Sequence, residues 1–171
     1  MPLKLVRVDD RLIHGQVVAV WLRAVGADRI LVVDDAVAAD PFLSDVLRLA
    51  APPDVPVEVH GLAGGAARAR ELAASPEAAF VLLRSPVSAL RLREAGVRFD
   101  VLNLGGLGAG PGRHPLHRSI HASDEELAAL RRLEALGTRV ELRLVADERP
   151  VPLRSVDRAG GPAPDVPDAT R

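Results

Sequence analysis

The sequence predicts an α/β protein built on an open, mainly parallel β-sheet with helices on both faces. Short apolar runs alternate with helix-length amphipathic segments, a rhythm that demands right-handed crossovers between parallel strands. The apolar runs are nearly continuous, as strands buried on both faces must be. With 171 residues, 48% of them hydrophobic and 26% charged, the chain is long enough for one domain that buries roughly two thirds of its unfolded surface.

Each element follows in order. Leu3–Val8 reads as a strand, and a polar loop leads into a helix over Gly15–Val25, where Val17, Val18, Trp21, Leu22 and Val25 share a face at helical spacing. Ile30–Val33 is a fully apolar strand; Asp34-Asp35 and a helix from about Pro41 to Ala51 follow, stopped by Pro52-Pro53. Val55–Val59 is the third strand and Gly61–Ala74 an alanine-rich helix. Ala78–Leu83 is the fourth strand, and Ser85-Pro86 opens the next helix with a capping residue followed by proline. Phe99–Leu104 is the fifth strand, before a glycine-rich loop over Gly105–Gly112, and Leu116–Ile120 reads as a short hairpin strand. Ser123-Asp124-Glu125-Glu126 is a capping box that opens a helix running to Leu136, closed by Gly137. Thr138–Val145 is the sixth, long strand. The domain is expected over residues 1–155, and residues 156–171, with Gly-Gly-Pro-Ala-Pro, read as a disordered tail.

Composition removes several function classes. The net charge is -1 and aromatics make up 2%, so neither counterion release nor base stacking supports nucleic-acid binding. With no cysteine, disulfides and thiolate metal sites are excluded, in keeping with a cytoplasmic protein. No signal-peptide pattern opens the chain, and no apolar stretch approaches the roughly 20 residues of a membrane span. A membrane role would come through a partner.

In a parallel sheet of this kind, ligands bind beyond the carboxyl ends of the strands. That edge gathers Asp9–Gly15, Asp34-Asp35, His60-Gly61, Arg84-Ser85-Pro86 and Asn103–Gly112. The first loop is the richest. Asp9, Asp10, Arg11 and His14 precede a helix N-terminus, whose free N–H groups and dipole favour an anion. Arginine grips phosphate oxygens, a neutral imidazole is a nucleophile, and Gly15 lets the backbone approach whatever the histidine carries. Phosphoryl transfer needs mainly positioning and charge stabilisation. On position alone, an orienting or capping role for His14 explains the residue equally well.

The stretch Arg7-Val8-Asp9-Asp10-Arg11-Leu12-Ile13-His14-Gly15-Gln16-Val17 resembles the signature of the IIB subunit of mannose/fructose/sorbose-type sugar phosphotransferase systems. The resemblance continues through Ile30–Asp40, Ala51-Pro52-Pro53, Val81–Pro86, Asn103–Leu107 and Val140–Arg143, in order, over roughly residues 3 to 150. It implies that His14 accepts a phosphoryl group on Nδ1 from a IIA phosphohistidine and passes it to an incoming sugar. By the same resemblance Arg11 steadies that group and Asp9 orders the loop, with Asp10, Gly15, Gln16 and Ser85 in support. For Ser85 a helix-capping role alone is the alternative. The resemblance also implies no metal or other cofactor, a cytoplasmic subunit lying against membrane-embedded IIC and IID, and docking surfaces near His14 instead of a deep sugar pocket.

One segment departs from the family pattern. Relatives carry a longer polar stretch with an arginine before a glycine after the Gly105-Gly106 pair, whereas here Gly108-Ala109-Gly110-Pro111-Gly112 leads to Arg113. Either Arg113 is that arginine, displaced, or the loop has lost part of its docking role. The glycine loop has no P-loop lysine and no G-x-G-x-x-G spacing. His114, His117 and His121 read as a solvated cluster, and Arg68, Arg70, Arg91 and Arg93 as solvated helix faces. Three rivals stand beside the phosphocarrier: a regulatory or orphan IIB-like docking protein, a receiver-like module, and a metal-dependent hydrolase. The receiver lacks an acceptor aspartate at Glu58-Val59-His60-Gly61 and any lysine beyond Lys4.

Overall fold

The structure, a computed structural model, describes residues 3–156, with the side chains of Gln16 and Val17 left outside the description. The expected tail falls almost wholly outside the described residues. Seven strands form one sheet in the order β3-β2-β4-β1-β5-β8-β9. They are β1 (Leu3–Val8), β2 (Arg29–Val33), β3 (Val57–His60), β4 (Ala79–Leu83), β5 (Val101–Leu104), β8 (Arg139–Leu142) and β9 (Val151–Pro152). All neighbours run parallel except β9, which pairs antiparallel with β8. A separate antiparallel hairpin joins β6 (Arg113–His117) to β7 (Ile120–Ser123).

Side-chain alternation along the strands divides the core in two. Leu31, Val33, Val81 and Leu83 point to the face covered by α4 (Leu62–Ala73), α5 (Pro86–Glu94) and α6 (Asp124–Ala135). Ile30, Val32, Phe80 and Leu82 point to the face covered by α1 (Gly15–Val25), α2 (Asp35–Ala38) and α3 (Pro41–Ala50). Crossovers that leave β1 and β2 use one face and those that leave β3, β4 and β5 use the other. The strand order therefore reverses around β1, which is where an open α/β sheet opens a binding crevice.

Register brings the functional edge together. His60 pairs with Val33, Val33 with Leu83, Leu83 with Val8, Val8 with Leu104 and Leu104 with Leu142. All five loops expected at this edge are there, joined by the segment after β8. The helix over Gly15–Val25 matches the sequence reading end for end.

Several elements differ from expectation. Leu116–Ile120 is not one strand, because Arg118 adopts φ 49° and turns the chain between β6 and β7. The strand expected to reach Val145 ends at Leu142, since the next two carbonyls are taken by the Arg7 guanidinium. The third strand begins at Val57 because Val55 N–H closes a turn onto the Pro52 carbonyl. The sequence reading omitted α2, β9 and α7 (Leu153–Val156), all four residues or fewer. Arg68 and Arg93 are half-buried and partnered on their helix faces: Arg68 pairs with Glu58, Glu71 and Glu77, and Arg93 donates to the Leu136 carbonyl at the end of α6. Among the described residues, no helix is long and apolar enough to cross a membrane.

Candidate active site

The loop between β1 and α1 is folded around Asp9, which is 1% exposed. Its backbone N–H donates to the Leu83 carbonyl of β4, fixing the loop to the neighbouring strand. Asp9 Oδ1 accepts the Arg11 backbone N–H at 3.2 Å, while Oδ2 accepts the Arg7 guanidinium at 3.0 Å and the Gly106 N–H at 3.3 Å. Leu12 N–H returns to the Asp9 carbonyl, and the buried Leu12 takes φ 55°, a left-handed conformation that a leucine holds only where packing enforces it. Gly15 has φ 48° with open space around its missing Cβ, so backbone conformation alone calls for glycine there.

His14 is the N-cap residue of α1, but its side chain does not cap the helix, and the first turn holds no acidic residue. The capping explanation of His14 is thereby removed, and the helix N-terminus has no negative side chain of its own in that turn to compete with an anion. The imidazole Nδ1 lies 2.9 Å from the Leu12 carbonyl oxygen and 3.9 Å from Asp9 Oδ1. A carbonyl only accepts, so Nδ1 carries the hydrogen in this contact, and in the neutral ring the lone pair is on Nε2. Nε2 is buried and meets no hydrogen-bond partner among the described residues. Arg11 is the exposed cation of the loop: its side chain is 67% accessible and its Nε is 3.9 Å from Asp9 Oδ1. Arg11 therefore remains available to an anion arriving from solvent.

A second layer ties this loop to its neighbours. Asp10 N–H donates to the Gly106 carbonyl, and Asp10 Oδ2 accepts from Gly108 N–H at 2.8 Å and Arg113 at 3.2 Å. Arg113 also grips Glu126 through two bonds of 2.9 and 2.7 Å. Paired acidic partners hold its guanidinium above the ordinary arginine range, with the Glu126 hydrogen bonds contributing most. Arg113 thus fastens the glycine loop to α6 and to Asp10. Arg84 donates to Asp34 at 2.9 Å and reaches the Asp10 carbonyl at 3.4 Å. Asp34 caps α2 through Val37 N–H, and Asp35 accepts Leu62 N–H at the start of α4.

Of the residues singled out from sequence, Asp9, Asp10, Arg11, His14 and Gly15 come together in one loop. Gln16 opens α1 and its side chain lies outside the described residues. Ser85 instead caps α5, accepting Ser88 N–H at 3.2 Å. Sequence reasoning gave no role to Arg7, Asn103, Arg84 or the Gly105-Gly106 pair. A signal for two of them was present: Arg7 and Asn103 are polar residues inside strands otherwise apolar, and a buried strand tolerates such residues only with partners. Among the described residues, no group of three or more His, Cys, Asp or Glu side chains is placed to hold a metal ion.

Comparison with known proteins adds to this geometry. The family model described as PTS system sorbose subfamily IIB component matches residues 3–159. The chain is 36% identical over 148 residues to the sorbose-specific EIIB component of the phosphotransferase system of Klebsiella pneumoniae, a match covering 86% of this chain and 90% of that protein. It is 30% identical over 143 residues to the fructose-specific EIIB component of Bacillus subtilis, covering 84% and 88% of the two chains. Against the mannose-specific EIIAB component of Escherichia coli K12, identity is 32% over 148 residues, which span 46% of that longer protein. The crystal structure of the IIBSor domain of the Klebsiella pneumoniae sorbose permease superposes with a TM-score of 0.82 over 88% of this chain and 93% of that one.

Proposed function

Because the chain belongs to the sorbose subfamily of IIB components of the phosphotransferase system, a class of phosphocarriers in sugar uptake, we propose that His14 is its phosphoryl acceptor. The observation that carries this reading is the placement of an uncapped helix N-terminus, His14, the exposed Arg11 and the buried Asp9 in one loop at the point where strand order reverses. A IIA phosphohistidine is the donor. The lone pair of a neutral His14 nitrogen attacks phosphorus, the N–P bond to IIA breaks, and its electron pair returns to the IIA imidazole. In the second transfer a sugar hydroxyl oxygen attacks phosphorus, the N–P bond to His14 breaks with its electron pair returning to the imidazole, and the hydroxyl proton passes to water. Arg11 and the N–H groups at the start of α1 offset the charge of the transferring group in both steps.

The acceptor atom expected from the family pattern is Nδ1. Here Nδ1 is engaged by the Leu12 carbonyl, so acceptance on Nδ1 requires the ring to turn away from Leu12. The partners of the second transfer are the membrane-embedded IIC and IID subunits, against which this chain docks from the cytoplasmic side. Support for the IIA partner comes from the Escherichia coli EIIAB relative, whose name joins a IIA to a IIB component.

Intact-mass measurement after incubation with phosphoenolpyruvate, the general phosphotransferase proteins and a cognate IIA tests the proposal beside His14→Ala. The expected result is one added phosphoryl group, labile in acid, stable in base and absent from the variant. An unmodified wild-type chain opposite a charged IIA would replace this reading with that of a regulatory docking relative.

A further inference from the structure

Arg7 is a cation inside an apolar strand, 2% exposed, on the face of β1 that carries α1. Its guanidinium donates to Asn103 Oδ1, to the Arg143 carbonyl at 2.9 Å, to the Leu144 carbonyl at 3.2 Å and to Asp9 Oδ2 at 3.0 Å. Trp21 covers it, with the ring centroid 4.9 Å from Cζ. Burial pushes the Arg7 guanidinium down from its ordinary range, and the Asp9 carboxylate opposes that shift. The neighbouring backbone is shaped to this pair. A Cβ at Gly105 would lie 2.1 Å from Arg7 Cζ, and one at Gly106 2.8 Å from Asp9 Oδ1.

Removing an arginine from water is costly, and an aliphatic side chain would fill the same space without that cost. What the arginine adds is control of one carboxylate. With Oδ2 held by Arg7 and by Gly106 N–H, Asp9 cannot rotate, and Oδ1 stays on the His14 side of the loop. We propose that Arg7 is a positioning residue for phosphoryl acceptance: it fixes Asp9 with Oδ1 toward His14 and cancels the charge that Asp9 would otherwise present there. A free Asp9 anion would hold the imidazole as imidazolium, which has no lone pair to attack phosphorus, and would repel the phosphoryl oxygens after transfer. The inference rests on His14 being the acceptor. The other charged or titratable groups of this edge are Asp10, Arg11, Asp34, Asp35, His60, Arg84 and Arg113, with Arg143 stacked 5.1 Å from the Trp21 ring centroid. Asp10 is paired with Arg113, Asp34 with Arg84 and Asp35 with Arg91.

The test measures the rate at which purified phospho-IIA charges the full chain, as a function of pH, for wild type, Arg7→Gln and Arg7→Lys, with folding checked by circular dichroism. Arg7→Gln is expected to slow charging by roughly 10- to 100-fold and to move the acidic limb of the pH–rate profile up by about one pH unit. Arg7→Lys keeps the charge but not the fork, so its limb stays near that of wild type while the rate falls by roughly 10-fold. A folded Arg7→Gln variant with an unmoved limb overturns the proposal and makes Arg7 a prop of the fold. Should Arg7→Gln fail to fold, Arg7→Lys decides, with its stability measured by urea unfolding: a wild-type rate, or a rate that falls only together with stability, overturns the proposal, and a slowed rate in a chain as stable as wild type upholds it. Charging that survives His14→Ala overturns the acceptor assignment itself, a separate outcome from an unmoved limb in a chain still charged on His14.

Discussion

The imidazole of His14 has two nitrogens with different surroundings, and that difference has a measurable consequence. Nδ1 faces a carbonyl oxygen at 2.9 Å, which requires a hydrogen on Nδ1, while Nε2 meets no hydrogen-bond partner among the described residues. The neutral ring in the uncharged protein is therefore expected as the Nδ1–H tautomer, the less common form of a free imidazole. Ring nitrogen-15 chemical shifts read this directly: a protonated-type Nδ1 and a bare Nε2 before charging, and after charging a phosphorus-coupled Nδ1 with the Leu12 contact broken. An Nε2–H tautomer before charging would show that the ring already faces outward in solution. Arg11 needs no such rearrangement, since its side chain is exposed from the outset. Legibility at this scale followed chemistry that is local in sequence. Asp9, Arg11 and His14 were readable because they lie within six positions of one another in a single loop. The engagement of Nδ1 was not, because it depends on a left-handed Leu12 that residue types do not announce. Ser85 was read two ways, and its hydroxyl accepts Ser88 N–H at the start of α5.

Elements were legible to the degree that their signals are local. The capping box at Ser123 and Glu126 forms as the sequence indicates, both reciprocal bonds present. The double use of Glu126, which also binds Arg113, was not visible, because Arg113 reaches it across the hairpin. The edge strand β3 shows how an element is pinned by charges that sequence spacing leaves unpaired. Glu58 accepts two bonds from Arg68, at 2.7 and 2.9 Å, and one from Arg29 at 3.1 Å. These partners hold the Glu58 carboxyl below its ordinary value of 4.5, the Arg68 hydrogen bonds contributing most and burial working against them. A depressed folded value means stability that is complete above the unfolded value and lost as pH falls through the folded one. Urea unfolding of wild type should thus weaken between about pH 5 and pH 3. Glu58→Gln should be less stable than wild type at neutral pH and show a shallower loss over that acid range. An equal acid limb in both proteins would assign the acid sensitivity to other carboxylates.

At the scale of the whole molecule, a parallel sheet with helices on both faces followed from the run of apolar segments, but the strand order did not. Sequence periodicity says which strands are buried, whereas their order is set by long-range register such as Val8 with both Leu83 and Leu104. That register places β1 at the centre and its loop at the reversal point, which gives the His14 loop two neighbouring strands to lean on. It also makes the two cores inseparable. β2 and β4 send alternate side chains to opposite faces, Phe80 and Leu82 to the side of α1, Val81 and Leu83 to the side of α4 and α5. Loss of either layer strips those strands of half their burial, so the faces should unfold together despite a length at which intermediates become common. Trp21, the single tryptophan, is 2% exposed and reports the α1 face alone, while far-ultraviolet circular dichroism reports helices on both faces. The two probes should trace one coincident urea transition. Phe80→Ala, which empties a fully buried position on the α1 face, should lower stability by about 3–5 kcal/mol and move both curves by the same amount. If fluorescence shifts alone and the dichroism curve stays behind, the α4–α6 layer holds the sheet without its partner, and the loop that carries His14 would then rest on a separately melting half of the molecule.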